Sequence, residues 1–112
     1  MQTVEVPQRD WGHELDMFSV LHEGTLVSLD IIGLTLGVQP QIRELPLRGV
    51  TAESSSHGPS IIISASGSDG EHITHLILSP THVRIERTND GADVALQIES
   101  EDGLSAILRF QP

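Results

Sequence analysis

Short turn-forming segments recur through the second half of the chain and restrict what it can fold into. They are GSDG at residues 67–70, SPT at 79–81, NDGA at 89–92 and EDG at 101–103. Glycine, proline, aspartate and asparagine are the residues that tight reversals use. Because connections this short join only antiparallel neighbours, the sequence predicts a series of hairpins after residue 60.

The segments between these turns alternate apolar and polar residues, as half-buried strands do. We predict strands at residues 60–66, 72–78, 82–88, 93–99 and 104–110, and earlier extended segments at 25–32, 38–45 and 45–54. The predicted register aligns one row of apolar residues, Ile61, Leu76, Ile85, Leu96 and Leu108. It also pairs Val83 with Ile98, Ile98 with Ala106, and Val94 with Phe110. One apolar face across five strands is the consistency that a correct assignment should give.

A helix is predicted near the start of the chain, at residues 10–23. Trp11, Leu15 and Phe18, followed by Leu21 or His22, recur at intervals of three and four, which places them on one stripe of a helix. Asp10 can cap its start, and Gly24 stands where a left-handed residue often ends a helix.

These patterns predict a single α+β domain over residues 1–112. An N-terminal arm at 1–9 precedes the helix, which packs on a curved antiparallel meander of six to seven strands at 25–110. Two alternatives stay open for the second face of the sheet: closure into a barrel, or cover by the first two strands.

The charge balance excludes some partners. Sixteen Asp and Glu residues face six arginines, and the formal net charge is -10. Nucleic-acid binding depends on Lys and Arg that neutralise phosphates, so we expect no nucleic acid as a partner. An anionic membrane surface is disfavoured for the same reason.

Other absences limit chemistry and location. The chain has no cysteine, so disulfides, thiolate metal sites and thiol nucleophiles are excluded. Its start has no basic segment followed by an apolar one, and no apolar run reaches the roughly 18 residues of a membrane span. A small soluble cytoplasmic protein is therefore expected.

Three of the six histidines fall within residues 72–82, which raises the question of a metal site. His72 and His75 are three apart on a predicted strand, so their side chains point to opposite faces. His82 lies beyond the next turn, and a zinc site needs three or four converging ligands. We expect no metal here and predict that His75 pairs across strands with Glu86.

Two further groups are weighed as sites. Asp69, Asp90 and Asp93 are predicted near one end of the sheet, where they could bind a divalent cation weakly. The turn chemistry of Asp-Gly explains two of them without a ligand. No nucleophile elbow, zinc-protease, phosphate-loop or dinucleotide motif occurs, so no catalytic residue and no cofactor are predicted and a non-enzymatic role is favoured.

The face of the predicted sheet away from the helix is partly apolar. We predict an interaction surface there, made by Ile62, Ile73, His75, Ile77 and Ile107. A monomeric open sheet would leave these isoleucines wet, which favours an accessory or protein-interaction domain that binds another protein or a second copy of itself. The alternative is a small-molecule or divalent-cation binding protein with its site in a barrel mouth or at the acidic end.

Several short segments together resemble a known family. WGHELDMFS, GLTLGVQ, ELPLRGVT, HLILSPTHV and LQIESEDG occur in the order seen in DUF5335, an uncharacterised bacterial family. The resemblance extends from about Trp11 to Phe110. It implies a small bacterial protein of unknown function and gives no activity, ligand or catalytic residue to transfer.

Overall fold

Eight antiparallel strands and one α-helix make up residues 1–111, the part of the chain that the computed structural model describes. The elements are β1 (Gln2–Val6), a 3-10 turn (Gln8–Asp10), α1 (Trp11–His22), β2 (Leu26–Gly33), β3 (Gly37–Ser55), β4 (Gly58–Ser66), β5 (His72–Leu78), β6 (Pro80–Arg87), β7 (Asp93–Ser100) and β8 (Ser105–Phe110). The predicted α+β class with an antiparallel sheet is confirmed. The predicted six to seven strands are too few.

The strands form one sheet in the order β1-β6-β7-β8-β2-β3-β4-β5. Two meanders, β2 to β5 and β6 to β8, are joined because β8 pairs with β2. The sheet does not close: β1 and β5 are its two edges. Closure into a barrel, one of the alternatives, is therefore wrong.

The segment expected to be an N-terminal arm contains strand β1. It pairs with β6 from Gln2 opposite Arg87 to Val6 opposite Val83. Val6 is buried while the rest of β1 is exposed. This strand is the one that the predicted sheet lacked, and it occupies the side of β6 where β5 was expected.

Strand β3 is continuous over 19 residues and changes partner at Pro46. Its first part pairs with β2 as far as Leu26 opposite Pro46, and its second part pairs with β4 from Leu47 opposite Ala65. Proline has no N–H to donate, which suits a position where one ladder ends and another begins. The two extended segments expected at 38–45 and 45–54 are thus halves of one strand.

The helix packs by the stripe that the sequence indicated. Trp11, Leu15 and Phe18 are buried, and the Trp11 indole donates a hydrogen bond to the Val6 carbonyl oxygen at 2.9 Å. Asp10 precedes the helix but forms no side-chain cap, because the 3-10 turn runs directly into α1. Gly24, with φ of 87°, follows the helix as expected.

The predicted register is confirmed in β6, β7 and β8. Ile85 lies opposite Leu96 and Val83 opposite Ile98, while Leu96 lies opposite Leu108 and Ile98 opposite Ala106. It is wrong by one residue between β4 and β5, where Ile61 pairs with Ile77 and Ile62 with Leu76. A slip of one residue moves each side chain of a strand to the other face.

The predicted hairpin between β5 and β6 is also wrong. Ser79 alone separates the two strands, which is shorter than the two-residue loop of the tightest hairpin. Ser79 has φ of 51°, and its carbonyl oxygen accepts a hydrogen bond from the Glu101 N–H at 3.0 Å. The chain turns a corner there, and β6 pairs with β1 and β7.

The core lies between α1 and the face of the sheet that carries the buried residues of β2, β3, β4, β6, β7 and β8. We call this the inner face. Its fully buried side chains are Val27, Leu29, Ile42, Leu47, Val50, Ile61, Ile63, Ala65, Val83, Leu96, Ile98 and Leu108. Branched aliphatic residues thus fill the interior, as the low aromatic content requires.

Candidate functional site

The residues of the predicted interaction surface do not share one face. Ile77 is buried and Ile73 packs against the core, so these two and His75 between them point inward. Ile62 lies opposite Leu76 on the outer face, and Ile107, far from β5 in the strand order, lies opposite Gln97. The one-residue slip between β4 and β5 is the reason. It turns Leu76 and Leu78 outward instead.

The three aspartates of the predicted cation site belong to different local arrangements. The Asp69 carboxylate accepts a hydrogen bond from the Glu71 N–H at 3.0 Å, and Asp90 accepts one from the Thr88 hydroxyl. Asp93 is bound by Arg87 and His22. Within residues 1–111, no three His, Cys, Asp or Glu side chains converge as a metal site would require.

The three clustered histidines also separate. His72 contacts the Thr74 hydroxyl at 3.1 Å, and His82 pairs with Glu5 at 3.2 Å. His75 lies opposite Ile63, not Glu86, because β5 and β6 are not paired. The predicted His75–Glu86 pair is therefore wrong.

The outer edge of β5, the side of His72–Leu78 that faces away from β4, is the candidate site. Strand β5 ends the sheet, and no backbone hydrogen bond from another strand or loop of residues 1–111 reaches this edge. The strand is seven residues long, pairs with β4 without a bulge and contains no Asp, Glu, Lys, Arg or Pro. Natural edge strands usually carry such features to prevent pairing with other chains.

Two exposed leucines lie on the outer face of β5. Leu76 is 51% and Leu78 is 66% exposed, and Ile62 beside Leu76 extends the apolar surface onto β4. Isolated exposed leucines are common on proteins, but here they flank an unpaired backbone edge. An incoming strand would find both hydrogen-bonding groups and apolar contacts.

A cavity of about 180 Å³ lies along the same edge, between β5 and the β7–β8 turn. From β5 it is lined by His75, Leu76, Ile77 and Leu78, and across from them by Ile31, Ser100, Asp102, Leu104 and Ala106. Burial lowers the pKa of His75 below the usual histidine value, which favours its neutral form at neutral pH. Most of the residues that line the cavity are apolar.

Beyond Leu78 the surface becomes acidic. Leu78, Ser79, Glu101 and Asp102 line a second, more open depression of about 310 Å³. Asp102 accepts a hydrogen bond from the Leu104 N–H at 3.0 Å, which orients its carboxylate. Neither Glu101 nor Asp102 forms an ion pair with any of residues 1–111.

Comparison with family models adds one result. Residues 2–112, nearly the whole chain, match the model described as a family of unknown function, DUF5335. The chain belongs to the DUF5335 family. No curated protein and no solved structure matches it. Within residues 1–111 of this DUF5335 chain, no helix has the length and apolar character needed to cross a membrane.

The sequence contained one signal for this site that its interpretation missed. In this DUF5335 member, β5 is an uncharged stretch in a chain with 20% charged residues, and the carboxylates of Asp69 and Glu71 stand close before it. The predicted register placed this strand between the strands on either side of it in sequence, so the sequence did not predict it to be an edge.

Proposed function

We propose that this DUF5335 protein is a non-enzymatic protein-interaction domain that binds an extended segment of its partner along the outer edge of β5. The observation that carries the proposal is that β5 is an edge strand with no charge, proline or bulge to protect it. Addition of a strand to an exposed sheet edge is a recurrent mode of peptide recognition.

The other edge of the sheet supports this choice by contrast. Strand β1 is five residues long and carries Glu5, which pairs with Arg84 at 3.0 Å and with His82 at 3.2 Å. Short length and charge are two of the means by which edges avoid further pairing. Strand β5 has neither, so it is the edge that favours a partner.

The size of the cavity beside β5 disfavours a small molecule as its occupant. Sites for small molecules usually enclose about 300–1,000 Å³, whereas the cavity beside β5 measures about 180 Å³. A space of that size suits one side chain of a bound peptide. The cation alternative has less support, since Asp69, Asp90 and Asp93 are each held by a separate neighbour.

Selection from a display library of random strand-length peptides on the immobilised full chain tests the proposal. We expect the recovered peptides to shift the backbone amide NMR signals of residues 72–78. We also expect binding to be lost in the double variant Leu76→Lys, Leu78→Lys, because lysine protects a sheet edge.

A matched control is available on the helix. Val20 and Leu21 are 75% and 68% exposed, so Val20→Lys with Leu21→Lys adds the same charges to an equally apolar exposed surface. Binding should survive in this control. Recovery of no peptide, or binding that survives the β5 changes and is lost with the helix changes, would rule out the β5 edge.

A further inference from the structure

The surroundings of β5 also specify what kind of segment fits there. We infer, resting on the proposed function, that the partner segment has aliphatic side chains on both of its faces and carries basic residues at the end that lies beside Leu78. Three features of the site lead to this inference: the inner cavity, the outer leucines and the acidic depression.

Alternate side chains of an added strand point to opposite faces of the sheet. Those that point inward meet the cavity wall of Ile31, Leu104 and Ala106. Those that point outward lie beside the exposed Leu76 and Leu78. Both faces are apolar, so aliphatic side chains bury the most surface, and β-branched ones suit an extended conformation best.

The acidic depression determines the charge at one end of the segment. Glu101 and Asp102 flank Leu78 and Ser79, and neither carboxylate has an internal ionic partner within residues 1–111. The net charge of -10 adds to the attraction for a basic segment. Arg or Lys at this end would therefore gain charge complementarity that an acidic residue would lack.

The other end of β5 has a smaller acidic excess. Asp69 and Glu71 lie in the turn before His72, but Arg48 donates hydrogen bonds to Ser66, which pairs with His72. The positive charge of Arg48 offsets one of the two negative charges there. A basic residue of the partner therefore gains more affinity at the end beside Leu78 than at the end beside His72.

Strand direction turns this inference into a sequence preference. Antiparallel pairing is slightly more stable per residue than parallel pairing. Since β5 runs from His72 to Leu78, an antiparallel segment places its N-terminal end beside Glu101 and Asp102. The basic residues then precede the aliphatic ones in the partner.

Synthetic peptides of strand length test this directly with the full chain. One alternates valine and isoleucine after two N-terminal arginines, the second has two glutamates in place of the arginines, and the third has the arginines at its C-terminus. We expect the first to bind about tenfold more tightly than the second by fluorescence anisotropy at low salt, with the third between them. Added salt should reduce the difference.

The variant Glu101→Gln with Asp102→Asn provides the decisive comparison. Asparagine keeps an oxygen that can accept the Leu104 N–H, so the turn should fold as before. The preference for arginine should disappear while NMR shifts along residues 72–78 persist. The control Asp10→Asn with Asp16→Asn, which removes two carboxylates from the 3-10 turn and the helix, should leave the preference unchanged.

The outcomes separate this inference from the proposed function. If the arginine and glutamate peptides bind equally at β5, strand addition stands and the charge preference is overturned. If the arginine peptide shifts signals of the helix instead of β5, or if no peptide binds a chain that is monomeric, both are overturned. If the chain pairs with a second copy of itself through β5 and excludes every peptide, the basic partner is overturned and the edge is retained as an interface.

Discussion

At the scale of single residues, Asp93 is the carboxylate with the most strongly organised surroundings. Its side chain is 11% exposed and accepts hydrogen bonds from Arg87 Nε at 2.8 Å and from His22 Nε2 at 2.7 Å. The His22 ring also contacts the Phe110 ring in a tilted arrangement, with ring centroids 4.4 Å apart. This cluster ties the end of α1 to the start of β7 and the end of β8.

The ionised form of Asp93 is favoured in the folded protein. Burial acts to raise the pKa of this carboxyl group, but the hydrogen bonds from Arg87 and His22 outweigh burial and lower the pKa overall. A carboxyl group with a lowered folded-state pKa contributes stability above its unfolded value of about 3.9. That contribution is lost as the pH falls through the folded-state pKa.

We predict that Asp93→Asn lowers the free energy of unfolding by about 1–3 kcal/mol at neutral pH, since it leaves Arg87 and His22 without a carboxylate. The difference from the natural chain should shrink as the pH falls below about 4, the ordinary aspartate value, and through the lower pKa of Asp93 in the folded protein. Urea unfolding at a series of pH values measures it. The control Asp16→Asn, on the exposed side of α1, should change the free energy of unfolding little at any pH. If Asp93→Asn lowers the free energy of unfolding by the same amount at every pH, its contribution does not depend on the ionisation of Asp93 and the prediction is wrong.

The sequence could not predict this cluster. His22 and Asp93 are 71 positions apart, and each had a sufficient local explanation, as a residue of the helix stripe and as a residue near an Asp-Gly turn. The contact depends on β8 pairing with β2, which brings Phe110 opposite Val27. Local spacing carries no information about such pairings.

At the scale of secondary-structure elements, Ser19 joins the helix to a strand edge. Strand β2 begins at Leu26, opposite Pro46, so on this side the second part of β3 has no strand partner. The Ser19 hydroxyl accepts a hydrogen bond from the Val50 N–H at 2.8 Å and lies 2.9 Å from the Val50 carbonyl oxygen and 2.8 Å from that of Leu15. Leu47, on the same edge, forms backbone hydrogen bonds with Gly24 and Thr25.

We predict that Ser19→Ala destabilises the fold by about 1–3 kcal/mol, because the Val50 N–H loses its partner in a partly buried place. Alanine has the higher helix propensity, which offsets a few tenths of this loss. Thermal unfolding followed by circular dichroism measures the change. Ser54→Ala, at the exposed far end of β3, is the control and should be nearly neutral; equal stability of the two variants would show that Ser19 does not hold the edge.

Turn chemistry explains which elements the sequence predicted correctly. The NDGA and EDG turns fix hairpins whose registers are confirmed, from Ile85 opposite Leu96 to Leu96 opposite Leu108. The GSDG turn belongs to a five-residue loop at 67–71 closed by the Gly67 N–H and the Glu71 carbonyl oxygen. This loop places Ile61 opposite Ile77, whereas the predicted pairing of Ile61 with Leu76 is displaced by one residue and put Leu76 and Ile77 on the wrong faces.

The SPT segment shows a different limit of the sequence pattern. Proline after a strand is consistent with a hairpin turn, but it is equally consistent with the start of a new strand after a corner. Ser79 in a left-handed conformation decides for the corner. Serine has no special preference for that conformation, so nothing in the local sequence distinguished the two.

At the scale of the whole molecule, the order of the strands determines the function that we propose. Strand β8 lies between β7 and β2 at the middle of the sheet, while β5 and β1 are its ends. A strand becomes an edge because no other strand lies beside it, which is a property of the complete topology. The candidate site therefore followed from the structure, although its lack of charge was visible in the sequence.

The same topology predicts a gradient of local stability across the sheet, which amide hydrogen exchange measures. Amides of β7 and β8 should exchange slowly, with opening free energies near that of global unfolding, because both strands are paired on two sides. Amides of β5 that point away from β4 should exchange fast, since no backbone acceptor faces them within residues 1–111. Protection of β5 equal to that of β8, and falling on dilution, would instead mean that a second copy of the chain covers the edge. Fast exchange at every protein concentration would indicate that the edge of β5 is free in the isolated protein, as binding of another chain requires.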